Sequence, residues 1–184
     1  MKTKDLWELI PRYLILLVLG FFNLKFFYFI FSPLTVHPVF WIVSLFNDNA
    51  RLLAGNLIFF EGLYAEIIPA CVAGAAYYLL LILNLTTPMN INKRIKSILF
   101  LVFVFLFLNI ARILFFMGFL AAGYQYFDLA HSITWYFGST LLVIIIWFVN
   151  IWLFKIRAIP IYTDVKRIFS DVEKIGSKPK KIKR

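Results

Sequence analysis

Four long apolar segments run along this chain, and they restrict its fold more than any other feature. They cover residues 13–31, 67–85, 98–116 and 133–154, and each is close to the roughly 20 apolar residues that cross a bilayer. Hydrophobic residues make up 62% of the 184 positions, which points away from a soluble domain. The sequence therefore predicts an all-α, polytopic membrane protein, a four-transmembrane-helix bundle within a single domain, residues 1–158.

The formal net charge of +10 is distributed unevenly around these segments. Basic residues collect before the first segment, between the second and the third, and after the fourth. The two remaining connections, residues 32–66 and 118–130, contain acidic residues and almost no basic ones. Because Lys and Arg favour cytoplasmic loops, both termini are predicted to be cytoplasmic and the two acidic connections to lie outside. The charge thus indicates membrane topology and contact with anionic lipid, and no nucleic-acid partner is expected.

Further structure is predicted outside the four segments. His37–Phe46 is apolar but too short to cross a bilayer, so it is predicted to form an interfacial or re-entrant helix at the outer face. Asn56–Ile68 is predicted to form an extended hairpin that turns at Glu61-Gly62. Residues 159–184 combine apolar residues at helical spacing with Lys and Arg, which predicts a cytoplasmic amphipathic and basic tail on the inner leaflet.

Arg112 lies inside the third apolar segment. A guanidinium in hydrocarbon costs about 2.5–3.5 kcal/mol even on the most permissive insertion scale, so such a residue normally faces a polar cavity between helices. The predicted topology places the only cysteine, Cys71, at the outer start of the second helix and His131 at the outer start of the fourth. Asn109 lies three residues before Arg112, on the same helical face. The sequence therefore predicts one shared site near the outer face.

These residue types suit nucleophilic catalysis. Cys71 follows Pro69 at the start of a helix, where the positive end of the helix dipole and a nearby Arg112 favour a thiolate. His131 is a candidate base for the thiol and a candidate acid for a leaving amine. Arg112, or the backbone amides around Cys71, would stabilise a tetrahedral oxyanion, and Asn109 would orient the guanidinium or bind the substrate amide. A single cysteine excludes an intramolecular disulfide and a multi-cysteine zinc site, and neither a metal nor a cofactor is expected.

The same residues allow other interpretations. Cys71 lies in a run of small residues, Ala70–Ala76, that is also typical of close helix packing. Arg112 and His131 would then belong to a structural polar network in a non-catalytic assembly or export factor. A small transporter or channel subunit with Arg112 on an anion path is a third possibility. Thiol reactivity separates these classes, because a catalytic cysteine is alkylated faster than a packing cysteine.

The order of these residues resembles the exosortase/archaeosortase family. The matching stretches are Pro69-Ala70-Cys71, Asn109-Ile110-Ala111-Arg112-Ile113, and Ala130-His131 with Phe137-Gly138 downstream. The resemblance covers residues 61–147, and the four-helix length is similar to that of the compact archaeal members, such as the pacearchaeosortases. One position departs from the pattern: the family commonly has glycine two residues after the cysteine, where this chain has Ala73 followed by Gly74.

The resemblance implies a membrane-embedded cysteine protease-transpeptidase with its active site at the outer face of the cell membrane. Cys71 would be the nucleophile, Arg112 the electrostatic stabiliser and His131 the acid–base partner. The implied partners are secreted proteins that end in a C-terminal sorting signal, made of a short motif, a transmembrane helix and a basic cluster. The enzyme would cleave near the motif and pass the protein to an anchor, with a membrane lipid as possible acceptor.

Overall fold

The computed structural model describes residues 3–21 and 24–156, with side chains for residues 9–21, 24–127, 129–134 and 137–156. The chain is mostly helical over these residues, as predicted. The helices are α1 (Thr3–Phe21), α2 (Lys25–Phe46), α3 (Pro69–Val72), α4 (Gly74–Leu85), α5 (Ile91–Ala121), α6 (Phe127–Ile133) and α7 (Ser139–Phe154). A π-helical turn, Thr134–Gly138, joins α6 to α7. The predicted amphipathic tail, residues 159–184, lies outside the described residues.

Two of the described helices, α2 and α5, are long and apolar enough to cross a bilayer. Three further helical segments, Leu9–Phe21, Pro69–Leu85 and Ser139–Phe154, are apolar but shorter. The helical architecture is therefore confirmed in its coarse form, and the four-span arrangement stays a prediction. The all-α assignment is wrong in one respect, because the connection after α2 forms a small β-sheet.

The predicted hairpin is confirmed, and an additional strand joins it. Strands β1 (Arg51–Leu53), β2 (Leu57–Phe60) and β3 (Leu63–Glu66) form an antiparallel sheet in the order β1-β2-β3. Phe60 pairs with Leu63, so that Glu61 and Gly62 alone form the turn, and both have positive φ (49° and 78°). Positive φ at both central residues is the conformation of a type I′ hairpin turn. β3 is left at one edge of the sheet and leads directly into α3.

The predicted first span, residues 13–31, is not one helix. α1 and α2 are separated at Leu24, which adopts the left-handed conformation (φ 61°) and so cannot continue an α-helix. α2 then runs through Pro33 and Pro38, and the separate outer helix predicted at residues 37–46 is its C-terminal part. Each proline removes one main-chain hydrogen bond without ending the helix. In a membrane bundle, neighbouring groups can supply a hydrogen bond to the main-chain oxygen that is left free.

The predicted second span is interrupted at Ala73. α3 is a single turn, and Ala73 follows it with φ 59° and ψ 43° before α4 begins. A residue that carries a Cβ is destabilised by about 1–2 kcal/mol in this left-handed region, whereas glycine adopts it freely. The departure from the family pattern at Ala73 therefore falls on a position whose backbone favours glycine.

α5 is the central helix of the bundle and packs against α2, α4 and α7. Phe105, in the middle of α5, is fully buried, and Tyr77 of α4 meets it edge-on with the ring centroids 4.7 Å apart. Tyr77 also stacks on Phe31 of α2, at 3.6 Å between centroids. These three rings join α2, α4 and α5 next to the interrupted helix, so the position of α3 is set by the core of the bundle.

A buried polar network joins α4, α5 and α7 at the other end of the bundle. Ser97 accepts a hydrogen bond from Asn84 (2.7 Å) and donates one to Asn150 (2.8 Å), and all three side chains are fully buried. Arg94 donates to the main-chain oxygens of Asn84 (2.7 Å) and Thr87 (3.0 Å). The C-terminal end of α4 is thereby held to the first turns of α5, because its free carbonyls find donors there.

Candidate active site

A cavity of about 370 Å³ lies where α3, α5, α6 and the edge of the sheet meet. Cys71, Arg112 and His131 all line it. The remaining lining residues come from β3 and the segment that follows it (Tyr64, Ala65, Glu66, Ile67, Ile68), α3 (Ala70), α5 (Ile113, Phe116, Met117, Leu120), α6 (Phe127) and the π-turn (Thr134). The three residues predicted to carry the chemistry therefore line one cavity. Along the chain, Cys71 and Arg112 are 41 residues apart, and Arg112 and His131 are 19 residues apart.

Cys71 is held in the single turn α3 as a free, half-buried thiol. The N–H groups of Cys71 and Val72 both donate to the main-chain oxygen of Ile68 (2.8 and 3.3 Å), and the N–H of Ala73 donates to that of Pro69 (3.1 Å). The prediction that backbone amides around Cys71 form an oxyanion hole is therefore wrong for these three amides, because each is already engaged. The dipole expected from a long helix is also lost, since α3 is only four residues long.

Asn109 and Arg112 bind the carbonyl groups that the interrupted helix leaves free. The side-chain amide of Asn109 donates to the main-chain oxygens of Cys71 (2.9 Å) and Val72 (3.4 Å). Arg112, one turn further along α5, donates from Nη2 to the same Cys71 oxygen (3.3 Å). Asn109 is fully buried beneath the cavity and does not line it, so it orients the segment that carries Cys71 and not a substrate amide.

The other terminal nitrogen of Arg112, Nη1, donates to the hydroxyl of Ser139 at the start of α7. The planar guanidinium thus spans from α3 to α7, a geometry that depends on its two fixed terminal nitrogens. Each of these nitrogens carries a second N–H that these two hydrogen bonds leave unused. Because Arg112 lines the cavity, it has donors to offer to a carbonyl or oxyanion placed beside Cys71.

His131 reaches the cavity from α6, held between aromatic rings. Its imidazole stacks on Phe127, one turn earlier (5.6 Å between centroids, 6° between planes), and meets Phe116 of α5 edge-on at 5.3 Å. Neither imidazole nitrogen is hydrogen-bonded to Cys71, and the thiol and the imidazole line the same cavity. A scissile group between them fits this arrangement, because catalytic hydrogen bonds commonly tighten only when substrate is bound.

Sequence reasoning missed three residues of this site: Ser139, Glu66 and Thr134. Ser139 supplies the acceptor for Arg112, and no spacing from His131 could have revealed it, because a π-helical turn between them shifts the helical face. Glu66 is an exposed acidic residue that lines the cavity, and its position in the second strand of the predicted hairpin, five residues before Cys71, was the available signal. Among the described residues, no group of three or more His, Cys, Asp or Glu side chains is placed to hold a metal ion.

Comparison with known proteins identifies no relative, since no family model, curated protein or solved structure matches the chain.

Proposed function

We propose that this chain is a membrane-embedded cysteine protease-transpeptidase that cleaves the C-terminal sorting signals of secreted proteins. The observation that carries the proposal is the shared cavity: a thiol, a guanidinium and an imidazole, widely separated in sequence, line one space of about 370 Å³. A nucleophile, a positive charge and an acid–base group around one pocket are the components of acyl transfer. The resemblance to exosortases and archaeosortases supplies the substrate class.

The first half of the proposed reaction forms a thioester. The Cys71 thiol gives its proton to His131, and the sulfur attacks the scissile carbonyl carbon. The carbonyl π electrons move to oxygen, where the free N–H donors of Arg112 stabilise the negative charge. When the tetrahedral intermediate collapses, the carbon–nitrogen bond breaks and the His131 imidazolium protonates the leaving amine.

The second half returns the enzyme to its starting state. A hydroxyl or amine of the acceptor, such as a membrane lipid, gives its proton to His131 and attacks the thioester carbonyl. The carbon–sulfur bond then breaks, and the sulfur regains its proton from the imidazolium. Water in place of the acceptor gives hydrolysis by the same steps, so one cavity serves a protease and a transpeptidase.

The proposed orientation places this cavity at the outer face of the cell membrane, with four spans and both termini in the cytoplasm. The distribution of basic residues supports it. Secreted proteins would then reach the cavity after export, while the transmembrane helix of their sorting signal is still in the bilayer.

A non-catalytic assembly factor is the competing function, and one observation favours it: Arg112 donates hydrogen bonds to two groups of the protein itself, the Ser139 hydroxyl and the Cys71 main-chain oxygen. In that case Arg112 would only fasten α3 to α7. A non-catalytic assembly factor does not require a reactive Cys71, so the reactivity of this thiol distinguishes the two functions.

The test is co-expression with a secreted protein from the same genome that ends in a motif, an apolar helix and a basic tail. Processing is measured as a shift in the size of that protein on immunoblots. Cys71→Ala is expected to abolish processing while the variant still accumulates in the membrane, and Cys71→Ser to be close to inactive, because a hydroxyl lacks the acidity of a thiol. His131→Ala should also fail, whereas His37→Ala, which alters an exposed histidine outside the cavity, should not.

Alkylation of the purified protein in detergent gives a second measurement. Cys71 should react with iodoacetamide near neutral pH faster than a reference thiol, Ser44→Cys in the Cys71→Ala background, which is also half-buried. Full processing by Cys71→Ala would rule out the proposed enzymatic function. A Cys71 that is not alkylated would favour the assembly factor.

A further inference from the structure

The free edge of β3 forms one wall of the cavity that contains Cys71. β3 is the last strand of the sheet, so its second edge has no strand beside it in the described part of the chain. Tyr64 and Glu66 of β3, with Ile67 and Ile68 beyond it, line the cavity together with the thiol. Ile67 and Ile68 connect β3 to α3, so the free edge ends a few residues before Cys71.

The register shows which backbone groups this edge presents. The N–H of Ile67 donates to the oxygen of Asn56 (3.0 Å), one position beyond the pair formed by Leu57 and Glu66. Because hydrogen-bonded and non-hydrogen-bonded pairs alternate in an antiparallel ladder, Leu63 and Ala65 also point their N–H and C=O groups toward β2. Tyr64 and Glu66 therefore direct theirs to the free edge.

Backbone groups of this kind are complementary to another extended chain. Two residues in alternate positions offer an N–H and a C=O each, at the spacing that a strand presents to its neighbour. Such groups would be costly to leave unpaired in hydrocarbon, so the edge belongs in a water-filled cavity or against a bound chain. The side chains of Tyr64 and Glu66 are exposed, and no strand of the described residues pairs with this edge.

We propose that the polypeptide substrate binds as an added strand on the edge of β3, which lays its scissile bond beside Cys71. This inference rests on the proposed function for the identity of the occupant, a segment of a secreted protein next to its transmembrane helix. Main-chain hydrogen bonds to Tyr64 and Glu66 would hold the segment in extended form, whatever its sequence. The apolar cavity wall formed by Ile113, Phe116 and Met117 would then receive alternate side chains of the segment.

Proline substitution tests the edge in a processing assay with purified protein in nanodiscs, in which the concentration of the secreted protein is varied. Glu66→Pro removes the N–H that would bind substrate, and the edge of a sheet tolerates proline where the N–H faces outward. Glu66→Ala removes the same carboxylate but keeps the N–H, so it is the matched variant. The apparent KM of Glu66→Pro should exceed that of Glu66→Ala by about five- to tenfold, the scale of one hydrogen bond, with kcat little changed. Equal KM values for the two variants would overturn the added-strand geometry.

Hydrogen exchange tests the edge without catalysis. The probe is the capped peptide acetyl-Lys-Thr-Val-Thr-Val-Thr-Lys-amide, added to the Cys71→Ala protein in nanodiscs. The amides of Tyr64 and Glu66 should exchange about tenfold more slowly with peptide, whereas those of Leu63 and Ala65 should not change, because they already bond to β2. The same peptide N-methylated at all five central residues, so that neither edge of the strand can donate there, should give no protection. Unchanged exchange at Tyr64 and Glu66, or equal protection by the methylated peptide, would overturn the proposal.

The two measurements separate the two proposals. If the wild-type protein processes no secreted protein but the peptide still protects Tyr64 and Glu66, the enzymatic function fails and the peptide-binding edge stands. If processing depends on Cys71 but neither measurement detects the edge, the enzyme stands and the added strand fails.

Discussion

The guanidinium of Arg112 is the residue on which the site depends most directly. Its two terminal nitrogens reach the oxygen of Cys71 in α3 and the hydroxyl of Ser139 in α7. A single residue of α5 thus joins the segment that carries Cys71 to the start of α7. An arginine is suited to this because its fork is planar and always charged, whereas lysine offers one compact ammonium on a different reach.

Replacing Arg112 distinguishes a fixed fork from a diffuse positive charge. Arg112→Lys is expected to lower the processing rate by about 100-fold, nearly as much as Arg112→Ala, the scale seen when one oxyanion donor is removed. The rate is measured on matched amounts of membrane-inserted protein, with the exposed strand residue Arg51→Lys as the control. A near wild-type rate for Arg112→Lys would exclude a role for the two fixed donors of the guanidinium. A near wild-type rate for Arg112→Ala would leave this arginine a structural role only.

Ser139 gives a prediction about positioning. Ser139→Ala removes the acceptor of a hydrogen bond to a charged group, worth about 1.5–3 kcal/mol, so processing should fall by at least about tenfold. Ser139→Thr keeps the hydroxyl and should restore most of the rate, and Ser132→Ala, an exposed serine of α6, should have no effect. Failure of Ser139→Thr to restore the rate would argue that packing at this position matters more than the hydroxyl.

At the scale of the element, the interruption between α3 and α4 is what makes Cys71 part of a site. A continuous helix would satisfy the carbonyls of Cys71 and Val72 within itself. With Ala73 in the left-handed conformation, these carbonyls instead receive hydrogen bonds from Asn109 and Arg112. The interruption is therefore the structural reason that α3 and α5 are joined at the cavity.

Substitutions at Ala73 test this interruption. Ala73→Val should lower the free energy of unfolding by about 1–2 kcal/mol or more, because a β-branched side chain is disfavoured at positive φ. Ala73→Gly should be tolerated, since relief of the left-handed strain offsets the loss of one buried methyl group. Thermal unfolding in detergent measures both, with the exposed helical residue Ala75→Val as the control. Equal stability of Ala73→Val and Ala75→Val would mean that the helix continues through Ala73.

The polar network at the other end of the bundle has its own prediction. Asn150→Ala leaves the Ser97 hydroxyl without its acceptor in a fully buried place, which should cost about 1–3 kcal/mol of stability. The variant that remains folded should alkylate at Cys71 at the wild-type rate, because the network and the cavity lie at opposite ends of α5. A slower alkylation rate in folded protein would show that the two ends are coupled.

For the whole molecule, the orientation in the membrane is the property that the proposed function needs most. In the Cys71→Ala background, a cysteine at position 128 should label with an impermeant maleimide in intact cells, and a cysteine at position 92 should not. Both positions should label after the membrane is permeabilised, which controls for reactivity. Labelling of position 92 in intact cells would place the cavity on the cytoplasmic side and contradict the proposed access of secreted proteins.

Much of this molecule could be predicted because its causes are local. Long apolar runs predict helices, since a backbone in hydrocarbon must satisfy its hydrogen bonds internally. Glu61-Gly62 between two apolar runs predicts a tight turn, because glycine accepts positive φ. A shared site for Cys71, Arg112 and His131 is predicted from the alternating direction of successive spans, and the three residues line one cavity. The roles of Asn109 and the amides around Cys71 could not be predicted, because they depend on which carbonyls are free.

The sequence by itself determined the helical character, the hairpin and the residues that gather at one end of the bundle. Only the tertiary structure decided that the helices are interrupted at Leu24 and Ala73, since each is a non-glycine residue with positive φ beside an Asn or Gly that is the more usual residue there. The left-handed backbone at Ala73 is unfavourable on its own. It is stabilised by packing and by hydrogen bonds from Asn109 and Arg112, 38 and 41 residues away from Cys71, which no local pattern contains.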